Sequence, residues 1–292
     1  MSERSRKRVC VAQINFNSEN ILRHLAKIES IVKEHRTADL IVFPELILHG
    51  HPSIEKPEGF LHRRMKTVYK SISQDLYQVV KDNGARVIIG ESRRRGERYY
   101  NVATYVDGDT VDRYTKTHVH WTENFMPGRK LKVFDSPWGK IGITICFDAA
   151  FSEVWRVLAL KGADVIVNIS AVPKTFSKDY MWRRFSGAAI FNQTHIIYAN
   201  RPGPFFSGYS AIFDPKGNTI CKGGRKETII ETEIDLKEVD RWREEEKLYP
   251  YRRPLLYREI VNRHRAESIV TESQIKECQL AAVRKGETKR VA

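Results

Sequence analysis

The sequence predicts a mixed α/β sandwich with its helices on the outside. Short, almost wholly apolar runs alternate with stretches whose apolar residues recur at helical spacing, as expected for strands buried on both faces and covered by helices. Hairpin signals interrupt that alternation, so the sheets must contain antiparallel pairs as well as parallel ones. No internal repeat or low-complexity linker divides the chain. Its 292 residues are therefore read as one large domain, long enough to bury roughly 75% of the unfolded surface without disulfide staples.

The elements come in this order. Residues 9–15 read as a strand. Residues 18–36 read as a helix, with Ile21, Leu25, Ile28 and Val32 on one face and Ser18 as its N-cap. A buried strand is expected over 39–44, a helix over 60–83 closed by Asn83-Gly84, and a strand over 86–90. Strands at 100–105 and 110–114 flank Asp107-Gly108, a hairpin signal. Strands at 132–135 and 140–145 flank the turn Pro137-Trp138-Gly139. A helix over 152–161 ends at Gly162, a strand comes next at 164–169, and then a helix at 179–193. Strands are expected at 195–200, 209–213 and 228–234, with Asp214-Pro215-Lys216-Gly217 as a turn carrying Pro at its second position. A charged helix spans 236–248. The Pro- and Arg-rich stretch 249–254 breaks it, and a polar extension runs to residue 292, its last nine residues expected to be disordered.

Composition excludes several classes. The four cysteines, Cys10, Cys146, Cys221 and Cys278, are far apart and form no CxxC pair. A disulfide scaffold and a zinc ribbon are not expected, and the usage suits a reducing cytoplasm. No apolar run is long enough for a membrane span, and the polar N-terminus lacks a signal-peptide core. The net charge is +14. Nucleic-acid binding would account for it, but the basic residues lie along the whole chain and no RNP, KH or zinc-finger pattern accompanies them. A solvated basic surface is the expected reading, and nucleic acid is not the expected partner.

Three short segments carry the chemistry. Glu45 follows the apolar run Leu40-Ile41-Val42-Phe43-Pro44, Lys116 ends the strand-like Tyr114-Thr115, and Cys146 closes Ile143-Thr144-Ile145. Singly, each has an ordinary structural explanation: an exposed glutamate, an edge-strand lysine, a small buried thiol. Together, a carboxylate, an ammonium and a thiol each stand at the C-terminal end of a strand, where clefts form.

In that order and at those separations they resemble the Glu–Lys–Cys triad of the nitrilase (carbon–nitrogen hydrolase) superfamily. The likeness extends to Phe43-Pro44-Glu45-Leu46; to Tyr114-Thr115-Lys116-Thr117-His118 with Glu123, Phe125, Pro127 and Gly128; and to Gly142 through Asp148. Gly162-Ala163-Asp164, Asn168, Asn192-Gln193, Ala199-Asn200, Gly208-Tyr209-Ser210 and the Asp214 turn complete it over about residues 9–235.

The resemblance implies a four-layer α-β-β-α sandwich of two mixed sheets flanked by helices. It implies a carbon–nitrogen hydrolase domain, placed over 8–248; the polar tail beyond it, 249–292, is read as a C-terminal extension serving as an inter-subunit arm. The substrate would be a small amide, and the assembly a homodimer or higher homo-oligomer. Cys146 would be the nucleophile, Glu45 the general base, and Lys116 with the backbone N–H of Phe147 the oxyanion donors. Burial would raise the pKa of Glu45 and the charge of Lys116 would oppose that rise. Glu123 would orient the lysine and the substrate. Trp121, Ala149, Ala171, Pro173 and Phe205 are the substrate-pocket candidates, each in a loop leaving a site-bearing strand. The family uses no metal or cofactor, so none is expected.

The departures from the family pattern narrow the chemistry. Phe147-Asp148 stands where nitrile-cleaving members carry Trp-Glu, which favours amides. Ala150 replaces an arginine that holds the substrate carboxylate in some carbamoyl-amino-acid hydrolases, and Ser152 replaces a proline. His49-Gly50-His51-Pro52 replaces a Gly-Tyr pair; a metal pair there lacks a cysteine or carboxylate cluster. An N-carbamoyl amidohydrolase or nitrilase remains the alternative. A papain-like pairing of cysteine with His118, His120 or His195 is a third reading, and a basic binding module on a nitrilase-like fold is the non-enzyme one.

Overall fold

The computed structural model describes residues 6–261 except 18, 51–60 and 138, and for 61–70 the backbone alone. Twelve strands form two six-stranded sheets. In chain order the strands and helices are β1 (Arg6–Gln13), α1 (Ile21–Glu34), β2 (Leu40–Val42), α2 (Leu61–Asp82), β3 (Arg86–Arg95), β4 (Arg98–Asp107), β5 (Thr110–Thr115), β6 (Val133–Ser136) and β7 (Gly139–Ile145). Then come α3 (Ser152–Leu160), β8 (Val165–Ser170), α4 (Lys178–Asn192), β9 (His195–Asn200), β10 (Ala211–Phe213), β11 (Thr219–Lys222), β12 (Thr228–Asp235) and α5 (Lys237–Glu245).

The first sheet has the order β12-β1-β2-β3-β4-β5 and the second β11-β10-β9-β8-β7-β6. Each is parallel at its centre, β1-β2-β3 and β7-β8-β9, and antiparallel outside it. The alternation of side chains along each strand builds the four layers. Val9, Val11, Leu40, Val42 and Ile88 of the first sheet meet Ile141, Ile143, Ile145, Val165, Val167 and Ile169 of the second in one buried cluster. The intervening residues Cys10, Ala12, Ile41, Val87 and Ile89 turn the other way, against Ile28 and Val32 of α1 and Leu76 and Val80 of α2. On the far side Ile166, Ile196, Tyr198 and Phe213 pack against Val154, Trp155, Leu158, Met181 and Phe185 of α3 and α4. The predicted α-β-β-α sandwich is thus observed. Each fully buried Ile or Val contributes roughly 1.5–3 kcal/mol, and their continuous clustering at the strand centres leaves the strand ends for polar groups.

Several boundaries differ from expectation. Asn20, not Ser18, caps α1 by accepting from the Arg23 N–H at 2.9 Å; Ser18 lies outside the described residues. β3 runs on to Arg95 and turns into β4 through Gly96-Glu97, because Gly96 supplies the positive φ a two-residue hairpin needs. Three consecutive arginines hide that extension in the sequence. β11 has no counterpart among the expected strands, since its Thr-Ile-Cys-Lys is a largely exposed edge with no apolar run. Tyr209 is left-handed at φ 57°, so β10 begins only at Ala211. The charged helix α5 ends at Glu245.

Candidate active site

The chain ends three strands at one place, two in the first sheet and one in the second. Glu45 stands three residues beyond β2, Lys116 immediately after β5, and Cys146 immediately after β7. The structure brings all three sequence-predicted residues together with Glu123. The Lys116 Nζ donates to Glu45 Oε1 at 2.9 Å and to both Glu123 oxygens, at 2.8 and 3.0 Å. The Lys116 and Glu45 side chains are 0% and 1% exposed, so this ammonium has exchanged bulk water for carboxylates.

Local backbone geometry places each group. Leu46 and Cys146 are left-handed, at φ 51° and 45°. For non-glycine residues that conformation is uncommon and persists only where surroundings impose it. Beside Glu45, Gly90 lets β3 approach this turn closely: a Cβ there would lie 2.4 Å from the Pro44 carbonyl and 2.6 Å from the Glu45 Cα. At Cys146 the imposition comes from Asp148, two residues on, whose Oδ2 accepts from the Ile145 N–H at 3.0 Å and the Tyr114 hydroxyl at 2.8 Å. Its Oδ1 accepts from the Thr117 hydroxyl and the His118 N–H, at 2.9 and 2.8 Å. This one carboxylate therefore ties the lysine strand of one sheet to the cysteine turn of the other. Burial alone would raise its pKa, but the donors from His118, Ile145 and Tyr114 hold it below the usual range.

Asn101 is a second organiser. Its carbonyl accepts from the Lys116 N–H at 2.9 Å while its side chain donates to Glu45 Oε1 at 2.7 Å. Neither Asn101 nor the bridging role of Asp148 stands out in the sequence. The signal each leaves there is slight: an asparagine beside the apolar Val102-Ala103, and an aspartate inside the cysteine motif.

The charges shift one another. Burial works against the Lys116 ammonium, but Glu45, the Cys146 thiol and Glu123 outweigh it and the pKa rises. Burial and the Glu45 charge, opposed by Lys116, leave the Glu123 carboxyl pushed up to about 7. Burial also drives the Cys146 thiol well above its ordinary range, reinforced by Glu45 and opposed by Lys116 and by the Ala171 backbone N–H that bonds the sulfur. Cys146 and Phe147 are half-buried as whole residues, while the sulfur lies deep enough for burial to dominate its pKa.

The pocket candidates separate. Ala171 meets the sulfur through its backbone. Trp121 is 54% exposed, stacks on His120 at 3.8 Å and meets Phe147 edge-on. Pro173 bridges to Phe206 in an isolated antiparallel pair, beside Phe205, which is 52% exposed. Ala149 is turned into the helix-covered core, and its carbonyl accepts from the Trp155 indole.

The histidines have other partners. His118 Nδ1 lies 3.0 Å from Asp148 and its ring stacks on Phe151. His195, at the opposite end of its strand, lies 3.1 Å from the Asp235 carbonyl. His49 Nδ1 accepts from the Ser92 N–H, and His51 is outside the described residues. Among the described residues, one grouping offers three metal-ligating atoms, Cys10, His35 and Glu231. It lies away from the triad, and the Arg8 guanidinium already occupies its carboxylate at 2.9 Å.

Comparison with known proteins accords with this geometry. The family model described as carbon-nitrogen hydrolase matches residues 8–244. A nitrilase of Pyrococcus abyssi is 31% identical over 78% of this chain and 90% of its own. A citrullinase of Francisella tularensis is 30% identical over 88% and 99%, and an N-carbamoylputrescine amidase of Solanum tuberosum 27% identical over 88% and 96%. Among solved structures, a carbon-nitrogen hydrolase from Helicobacter pylori superposes with a TM-score of 0.80 at 22% identity, covering 89% of this chain and 99% of that one. An amidase from Nesterenkonia sp. superposes with a TM-score of 0.73 at 20% identity, covering 87% and 95%. With four layers, three strand ends and this sequence likeness in accord, the chain belongs to the carbon–nitrogen hydrolase family.

Proposed function

We propose that the protein hydrolyses the C–N bond of a small amide through a thioester on Cys146. The observation that carries this reading is the buried Lys116 ammonium held between Glu45 and Glu123 beside a half-buried cysteine. A structural ion pair would need one carboxylate; the second, with a thiol alongside, is the equipment of acyl transfer.

The Cys146 sulfur attacks the amide carbon while Glu45 takes the thiol proton, forming the C–S bond. The oxyanion is met by the Lys116 ammonium and the Phe147 backbone N–H. Collapse breaks the C–N bond, and Glu45 returns its proton to the departing ammonia or amine. Water then attacks the thioester with Glu45 again as base, the C–S bond breaks, and the thiol regains its proton. Glu123 positions Lys116 throughout. An amide is preferred to a nitrile because Phe147-Asp148 follows the cysteine. A carboxylate-bearing ureido acid is disfavoured because Ala150 offers no cation.

We further assign the chain to a reducing cytoplasm and to a homodimer or larger homo-oligomer joined along α3 and α4. Leu160, Ile190 and Phe191 of those helices are exposed, as are Leu255, Leu256, Ile260 and Val261 of the segment after α5. That segment begins the extension read as an inter-subunit arm, whose remainder, 262–292, lies outside the described residues. Sedimentation at micromolar concentration is expected to give a dimer or larger species, and Phe191→Asp to weaken it; a monomeric wild-type chain would contradict this assignment.

The reaction is tested by ammonia release across amides, ureido compounds and nitriles. Cys146→Ala is expected to lose at least about 10³-fold in rate, and mass spectrometry of a stalled turnover to place the acyl group on Cys146 alone. Retained activity in Cys146→Ala, or an adduct on another cysteine, would overturn it. The site also predicts a pH dependence of stability. Glu123 holds its proton to about pH 7 when folded and to about 4.5 when unfolded. Its contribution is therefore fully present below about pH 4.5 and lost as the pH rises through 7. Urea denaturation of Glu123→Gln should lack that decline; an unchanged decline would assign it elsewhere.

A further inference from the structure

His120 is placed like no other histidine among the described residues. It lies four residues beyond Lys116, in the turn closed by the Glu123 N–H donating to the His120 carbonyl at 2.9 Å. Its ring is half-buried, stacked on Trp121 at 3.8 Å and packed edge-on against Phe147 at 4.9 Å. Phe147 is the residue after the sulfur. The imidazole is thus held by two aromatic contacts beside the turn that carries Cys146.

Two contacts to Nδ1 favour one tautomer. The Thr122 N–H donates to Nδ1 at 3.3 Å, and the Thr122 hydroxyl lies 2.7 Å from the same nitrogen. A nitrogen that accepts from a backbone N–H carries no proton of its own, so in the neutral ring the proton is on Nε2. Among the described residues Nε2 has no hydrogen-bond partner, and it is not among the buried unsatisfied atoms. Among the described residues it is an unpaired donor. Burial and the nearby Lys116 charge lower the His120 pKa, with Glu45 opposing, which keeps the ring neutral at neutral pH. His118 is the contrast: its ring is consumed by Asp148, Thr117 and Phe151.

We propose that His120 is a specificity-determining residue whose Nε2–H donates to an uncharged hydrogen-bond acceptor on the substrate, a carbonyl or ether oxygen beyond the scissile amide. The inference rests on the hydrolase reading above and narrows its substrate to amides with a polar but uncharged acyl chain. A neutral donor on an aromatic platform suits that class: it rewards an oxygen without requiring a carboxylate, and the arginine position for a carboxylate is Ala150. Trp121 and Phe147 then cover the apolar part of the same chain.

The test compares near-isosteric primary amides, pentanamide against 3-methoxypropanamide and 4-oxopentanamide, by steady-state ammonia release with the full-length chain. Wild type is expected to favour at least one oxygen-bearing amide over pentanamide. His120→Phe keeps the ring stack but removes the donor, and should erase that preference by about tenfold in kcat/KM, the size of one partly desolvated hydrogen bond. The loss should fall chiefly on KM, and His120→Gln, which restores an N–H donor, should recover part of it. The inference is overturned if wild type shows no preference or if His120→Phe slows all three amides equally. A collapse of kcat for every substrate in both variants also overturns it, since that marks a proton-transfer role. If wild type releases ammonia from none of the three and Cys146 is not acylated, the hydrolase reading has failed and this inference falls with it.

Discussion

The site is governed by one buried ammonium. Lys116 is shut off from solvent and has three carboxylate oxygens within 3.0 Å. An isolated charge there would be prohibitively costly, whereas a paired and hydrogen-bonded one is tolerable. Two carboxylates overcompensate a single cation, and the surplus is relieved where Glu123 retains a proton up to about pH 7. At the sulfur, burial and the Glu45 carboxylate outweigh the pull of the lysine. The thiol is held protonated, and removing its proton becomes the task of Glu45 at the moment of attack.

Such an arrangement demands rigid support, because the three groups come from two sheets whose facing surfaces meet through apolar side chains. Asp148 joins those sheets at the strand ends through donors from Tyr114 and Thr117 on one side and Ile145 on the other. Asn101 couples Glu45 to the Lys116 backbone. Gly128 completes the frame: its N–H donates to the Lys116 carbonyl at 2.7 Å, and a Cβ there would lie 2.3 Å from the Thr115 carbonyl. Left-handed backbone at Leu46 and Cys146 is the local strain that this frame sustains.

The layers and the ends of the triad strands are legible in the sequence because both depend on apolar periodicity. Leu40-Ile41-Val42 and Ile143-Thr144-Ile145 can only be interior strands, and the residues after them must emerge at an edge. β11 and the far half of β3 are not legible, since a solvent-facing edge strand carries no apolar pattern and arginine suits loop and strand alike. The organisers Asp148 and Asn101 escape for a different reason. A polar residue's role depends on which donors fold around it, and those of Asp148 come from residues as distant as Tyr114. The pocket candidates diverge likewise. Ala149 lies close behind the cysteine in sequence but packs into the helix-facing core. His120, which sequence alone marks only as a conceivable partner for a cysteine, has the open donor.

The central claim is that Cys146 rests as a neutral thiol because burial and the Glu45 carboxylate outweigh the pull of Lys116. Its most direct test is the pH dependence of iodoacetamide alkylation at Cys146, in a chain whose other three cysteines are replaced by serine. The account predicts a slow reaction at neutral pH whose rate keeps climbing beyond about pH 8.5, the ordinary midpoint for a thiol, without levelling. A rate that reaches its plateau below about pH 7 would reveal a thiolate already paired with Lys116 and would contradict the account.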